Sequence, residues 1–302
     1  MKEIKHIKIE KNIKASELVS RMKECGFNAR KVSISAEIIK EAKKDKCKIF
    51  LGMAGALVPG GMREIIIDML EKGWIDVLVT TGANLTHDLI EALGFKHYMG
   101  NERADDFKLH KQGLDRIYNV YMSNKVYQAL EKFFIKNYSE LSKATCVSEF
   151  LYLLGKITPK RSILKVCYEK KIPVFCPALS DSGVGLMLWN LFIRKKKILL
   201  DEIKDLDEML KLAWNKKKAV FYLGGGVPKN YVQQAMQFSN PALYGVQITT
   251  DRAESGGSSG APLREGISWG KMSNQGKFVD VFCDVTIALP LIYSALLDKK
   301  SQ

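Results

Sequence analysis

A lysine becomes a nucleophile at neutral pH only where its ammonium loses part of its hydration or a second cation crowds it. Residues 265–271, Glu-Gly-Ile-Ser-Trp-Gly-Lys, place Lys271 two positions after Trp269 and downstream of Ser255-Gly256-Gly257-Ser258-Ser259-Gly260. A large aromatic on a glycine-rich loop is one way to build a dry pocket around such a lysine. A lone lysine in a loop is more often a solvated charge, and a tryptophan more often core, so the rest of the chain has to decide.

Other residues add chemistry. His87, in Thr86-His87-Asp88, is expected near the start of a helix beside the turn Thr80-Thr81-Gly82. Asp181 and Asp284 each follow a strand; an acid there either accepts hydrogen bonds from ribose hydroxyls or caps the next helix, here from Val285. Glycine lets backbone approach phosphate at the ends Gly52–Ala56, Val79–Asn84 and Leu223–Pro228. None of the three is a G-x-G-x-x-G fingerprint or a Walker A loop. Together they point to a phosphate or dinucleotide cleft. No Ser-His-Asp order and no metal-ligand spacing stands out.

These residues need a frame. Short apolar runs are expected as strands at 48–52, 75–81, 172–175, 219–223, 244–250 and 279–283. Amphipathic stretches are expected as helices at 61–73, 84–93, 184–192, 201–214 and 228–238, with Pro228 just inside a helix start. Alternation from about residue 48 to the end implies an α/β fold with a doubly wound, mostly parallel, Rossmann-like sheet. Residues 1–47 read as a helical N-terminal segment, and the 302 residues as a single domain.

Composition narrows the class. At 46% hydrophobic the chain can bury a large core, yet it has no run of 18 apolar residues for a membrane span. The charged start Met1-Lys2-Glu3-Ile4-Lys5 is no secretion signal, and six scattered cysteines without C-x-x-C read as free thiols. The expectation is cytoplasmic. The net charge of +14 is spread over lysine-rich helix faces, which argues for solvated surfaces over a nucleic-acid patch.

Six ordered segments then combine: Leu51-Gly52 with Gly61-Met62-Arg63-Glu64, residues 76–81 Asp-Val-Leu-Val-Thr-Thr, Pro177-Ala178-Leu179-Ser180-Asp181, Leu223-Gly224-Gly225-Gly226-Val227, Ser268-Trp269-Gly270-Lys271, and Asp284. In these the chain resembles the deoxyhypusine synthase family over nearly its whole length. The resemblance implies a homotetramer with NAD at subunit interfaces and a covalent lysine mechanism. It implies that spermidine is oxidised, that its aminobutyl portion forms an imine on Lys271, and that 1,3-diaminopropane leaves. The group then passes to a lysine of the translation initiation factor 5A precursor and is reduced to deoxyhypusine. By the same resemblance Trp269 lines the polyamine slot, Glu265 holds an amine end, and Gly256 and Gly257 touch the substrate. Thr81, Asp181, Gly225, Thr250 and Asp284 fall on cofactor contacts, with Gly55, Ala56, Gly82, Asp251 and Val285 beside them in the same turns.

The amine half departs from the eukaryotic pattern. Leu186 stands for an acid, Asn230 for a histidine, Thr86 and His87 for a pair of glutamates, and Ser255 and Ser258 for two aspartates. The overall pattern resembles the archaeal and bacterial branch. An alternative on the same lysine and NAD is a small-molecule aminobutyl transferase of the homospermidine synthase kind. In either case amine recognition must lean on Glu265, His87 and Trp269.

Overall fold

Residues 48–53, Lys-Ile-Phe-Leu-Gly-Met, are apolar on both faces, as a strand covered on both sides must be. They form β1 (Lys48–Met53), buried from Ile49 to Met53. The computed structural model describes residues 1–214 and 216–298. Beside β1 it has β2 (Val77–Thr80), β3 (Tyr98–Met99), β4 (Leu114–Ile117), β5 (Val120–Ser123), β6 (Val174–Phe175), β7 (Lys218–Leu223), β8 (Ala242–Thr249) and β9 (Met272–Phe282). Six of these make a parallel sheet of order β6-β2-β1-β7-β8-β9, flanked by helices, which is the α/β frame expected. The expected helices are found at Arg63–Glu71, Gly82–Ala92, Gly183–Ile193, Glu202–Ala213 and Gly226–Gln237, with shifted ends.

Three expectations change. Strands β3, β5 and β4 form a separate antiparallel sheet that the strand-helix alternation did not anticipate. Its strands are too short and too polar (Leu-Asp-Arg-Ile in β4) to read as apolar runs, and Tyr118 closes the hairpin at φ 52. The N-terminal segment is helical only at Ala15–Met22 and Phe27–Lys44. Residues 1–14 lie outside a helix, tied back by Lys5 N–H to Glu24 O at 3.1 Å. Strand β9 begins at Met272, seven residues before the expected start at 279. Its polar stretch 273–277 sits on an edge strand and is largely open to solvent, so no apolar run marks it.

Contacts gather into two compact units: Met1–Ala54 with Trp74–Val79 and the chain from Glu208 onward, and Gly55–Gly73 with Thr80–Asp207. In the first, helix Phe27–Lys44 packs on β8 and β9, helix Gly226–Gln237 on β1, and helix Val285–Leu296 on the two N-terminal helices. Lys218, fully buried at the start of β7, donates to Ala213 O at 2.9 Å and Ser239 Oγ at 2.7 Å. Burial pushes its pKa down to about 8.

In the second unit, helix Ile163–Lys170 packs against helices Arg63–Glu71, Gly82–Ala92 and Val147–Ile157. Asp88 ties it in place. Its buried carboxylate accepts from Arg63 Nε at 2.8 Å and from the N–H groups of Ile163 and Leu164 at 3.1 and 3.3 Å, at the start of that helix. Replacing Asp88 by Ala leaves two buried N–H groups bare and removes the most buried partner of Arg63, which keeps Glu64 at 3.0 Å and Arg161 O at 2.7 Å. The expected loss is about 3 kcal/mol or more of stability by urea denaturation, whereas a loss under about 1 kcal/mol would mean that water replaces the carboxylate.

Candidate functional site

The site in the first unit starts where β7 stops. Gly224 (φ 77), Gly225 and Gly226 (φ 58) turn the chain into helix Gly226–Gln237, whose first turn has no side-chain cap. A Cβ on Gly225 would lie 2.3 Å from Ser259 Cα, and one on Gly260 would lie 2.1 Å from Arg252 O. Only bare backbone lets the loop after β8 come this close. That loop leads into a 3-10 turn, Leu263–Ile267, anchored by Leu263 N–H on Asp280 Oδ1 at 3.0 Å. Gly270 (φ 70) then reverses the chain, Lys271 N–H bonds Gly266 O at 2.8 Å, and β9 begins.

The result is a cavity of about 360 Å³. Of the expected amine-site residues it gathers Lys271, Trp269, Glu265, Gly256 and Asn230. Gly257 stands in the same loop but outside the lining. The Lys271 ammonium sits 4.7 Å from the centre of the Trp269 ring, a cation–π contact. The expected drying is not achieved within one chain, however. Trp269 is 55% exposed and Lys271 half-buried, because the 3-10 turn and Gly270 lift the indole to the rim.

Among the lining residues that sequence reasoning missed are Lys229 and Gln233. Lys229 carried a signal: a cation in the first turn of a helix opposes the positive end of the macrodipole and needs a special reason to be there. Gln233 carried none, since an amide on a helix is ordinary. Its Nε2 donates to Tyr222 Oη at 3.1 Å, while its Oε1 is buried without a partner.

The expected cofactor residues divide between the units. In the first, Thr250 and Asp251 are exposed just past β8, and Asp284 is exposed just past β9. Asp284 caps the helix that begins at Val285, accepting from Thr286 N–H at 2.8 Å through one oxygen. In the second, Thr81 caps helix Gly82–Ala92 and donates to Gly55 O at 2.8 Å, beside Ala56 in the turn after β1. Gly82 packs against Ser182, where a Cβ would meet the side chain at 2.4 Å, and Asp181 is exposed in the turn before. Of the helices that follow β2, β6, β7 and β9, only the one after β7 starts without a side-chain cap. Its free N–H groups and open glycines suit an anion.

His87, also in the second unit, is buried in a chain of bonds. Its Nδ1 is 2.9 Å from His97 Nε2, and His97 Nδ1 is 2.8 Å from Glu91 Oε1. With Glu91 ionised, His97 donates to it and accepts from His87, which leaves His87 Nε2 as the lone-pair nitrogen when both rings are neutral.

A deoxyhypusine synthase family model matches residues 17–296. A protein of Archaeoglobus fulgidus named probable deoxyhypusine synthase 1 is 41% identical over 293 residues, covering 96% of each chain. The chain belongs to the deoxyhypusine synthase family. A deoxyhypusine synthase-like protein of Chlorobaculum tepidum is 35% identical, over 99% of this chain and 90% of its own. An Entamoeba histolytica protein provisionally assigned as a deoxyhypusine synthase shares the fold, with a TM-score of 0.64 at 21% identity over 97% of this chain and 96% of its own. Membership of the deoxyhypusine synthase family makes this chain an enzyme of the transferase class.

The burial of His87 has a measurable consequence. Burial, and then the neighbouring His97, hold its pKa down at about 4, below the ordinary 6.5. Between those values the unfolded chain binds a proton that the folded chain refuses, so stability falls as pH drops from 6.5 to 4. Urea denaturation should lose up to about 3 kcal/mol across that window through this group, and less in His87→Asn. Equal slopes in both proteins would remove His87 as the cause.

Proposed function

We propose that this chain transfers the aminobutyl group of spermidine, through an imine on Lys271, to a lysine of the translation initiation factor 5A precursor in the cytoplasm, with NAD as cofactor. One observation carries this reading: Lys271, Trp269 and Glu265, far from a common motif, line one cavity in a chain of this family. When bound, NAD would accept a hydride from the amine and return it at the end. The uncapped start of helix Gly226–Gln237 and the open Gly226 fit its phosphates, and the second oxygen of Asp284 fits a ribose hydroxyl. Thr81, Gly82, Gly55, Ala56, Asp181, Gly225, Thr250, Asp251 and Val285 are the remaining contacts proposed.

Lys271 does the covalent work. Its neutral amine adds to the carbon of the oxidised spermidine, a new C–N bond forms, and the old one breaks as 1,3-diaminopropane leaves with the proton. Glu265 holds an ammonium of the donor, and Trp269 covers its chain and offers its face to the charge. The exposure of Trp269 supports assembly into the homotetramer, where a neighbour would complete the drying. His87 is proposed as a base at Nε2 that stays neutral by relaying a proton from Nδ1 along His97 to Glu91.

A second reading rests on the lining itself. Glu265 is its only carboxylate, beside the amides of Asn230, Gln233, Gln234 and Gln237. That balance favours a less highly charged amine, as in a homospermidine synthase-like transferase of small molecules.

Incubation with NAD, labelled spermidine and purified factor separates the two, since label enters protein in the first and a small amine in the second. Lys271→Ala should abolish transfer while NAD affinity stays within about threefold, and borohydride should trap the aminobutyl group on Lys271 alone. Lys271→Arg should be equally inactive, because guanidinium stays protonated. Transfer by Lys271→Ala, or an adduct elsewhere, would overturn the proposal. Asp284→Ala should weaken NAD binding on the order of tenfold, about 1.4 kcal/mol, in a fluorescence titration. Unchanged affinity would reduce Asp284 to the helix cap.

A further inference from the structure

Lys229 is 4% exposed, yet it makes no ion pair among the described residues. Its ammonium donates instead to two backbone carbonyls, Ser258 O at 2.5 Å and Ala261 O at 2.6 Å. Burying an ammonium is costly unless its donors are used, and here two of three go to one short turn. The same turn is held from the other side by Gln247 Nε2, at 3.1 Å from Ser259 O and 3.4 Å from Ala261 O. Gly225 meets its backbone at Ser259. Within the turn the N–H groups of Gly260 and Ala261 share one carbonyl, Gly257 O, at 3.3 Å each, while Gly256 has φ 71 with open space around it, and Ser258 and Ala261 line the cavity beside Lys271.

A neutral donor such as Gln247 can hold a carbonyl, so a cation here asks for a reason. Charge-assisted bonds are about twice as strong as neutral ones, and one ammonium can grip two carbonyls that diverge. The charges that face Lys229 are Asp280 on β9, Glu265 on the 3-10 turn, and Lys271. Burial, the largest influence, pushes its pKa down to about 8. The ammonium is thus held by the carbonyls more than by any acid.

We infer that Lys229 is a positioning residue for the chemistry at Lys271: it clamps the Ser258 and Ala261 carbonyls and so fixes the 256–261 turn as one wall of the amine cavity. This rests on Lys271 being the imine-forming lysine. The wall would govern how tightly the donor amine is held and leave the covalent steps to Lys271.

The experiment uses the full-length protein with Lys229→Met, which fills the volume without a donor, and Lys229→Gln, which keeps one donor group without charge. With NAD saturating, and well below the melting temperature, Lys229→Met should raise KM for spermidine about tenfold with kcat within about threefold. Lys229→Gln should fall between Met and wild type. Amide hydrogen exchange should quicken at 256–261 in Lys229→Met and stay unchanged in β7 and β8, a pattern that general destabilisation would not give. If Lys229→Met fails to fold, Lys229→Gln against wild type carries the same comparison. Wild-type KM together with wild-type exchange in the turn would overturn the inference. Absence of a trapped adduct on Lys271 in the wild-type enzyme would instead overturn the functional reading on which it rests.

Discussion

Close approach of backbone to backbone at Gly225 is the constraint on which the site depends. Strands β7, β8 and β9 run parallel, with one register shift between β8 and β9 at Ala242/Tyr244, so the turns that leave β7 and β8 emerge at the same end of the sheet. The two turns meet at Gly225, where a side chain would strike Ser259, and Gly260 lets the loop after β8 fold back on its own Arg252 carbonyl. Once the loop after β8 lies against Gly225, its carbonyls fall within reach of Lys229 and Gln247. The 3-10 turn that follows must then start over Asp280, and its end delivers Trp269 and Lys271 to the rim of the cavity. The lysine sits at the entry of β9, whose first residue pairs with the start of β8, and not at the carboxyl end of a strand where ligands of such sheets usually gather. The cavity reaches it by running along helix Gly226–Gln237.

Each unit resolves its buried charges differently. In the first, two lysines are buried without acids: Lys218 closes the end of helix Glu202–Ala213, and Lys229 grips the loop after β8. Lys218 spends its donors on a carbonyl and a hydroxyl, Lys229 on two carbonyls, and burial depresses both pKa values to about 8. In the second, Asp88 is paired with Arg63 and caps a helix, while burial still pushes its pKa up. His87 is buried as a neutral ring, bonded to His97, which in turn meets the Glu91 carboxylate. Removing Asp88 from the second unit bares two helix N–H groups, whereas removing a lysine from the first leaves only neutral acceptors.

The lining of the cavity is where this chain parts from the pattern of its eukaryotic relatives. One carboxylate, two lysines and several amides make a wall that is less acidic than a polycation would prefer. The surface charge of +14 lies elsewhere, much of it on solvated lysines, and contributes little screening-resistant field to a half-buried site. Under the proposed function, amine selectivity would be set by a few side chains around Lys271 and by the loop that carries Gly256 and Ser258.

Much was legible in the residues alone. Strands such as 48–53 and 218–223 are apolar on both faces, and that is the mark of a covered parallel sheet whatever its neighbours. The Ser-Trp-Gly-Lys segment pointed to Lys271 because the chemistry of a reactive lysine constrains its immediate neighbours. What the chain could not announce depends on partners distant in sequence. The place of Lys229 in a first helical turn hints at a special role, but its partners are fixed only when residues 258 and 261 fold over it. Trp269 looks like core until Gly270 turns it outward, and the polar start of β9 is a strand only because β8 pairs with it. Local pattern determined which faces are buried, since burial follows side-chain period; the tertiary structure decided which buried cation holds which carbonyl, since that bond exists only between segments the fold has already brought together.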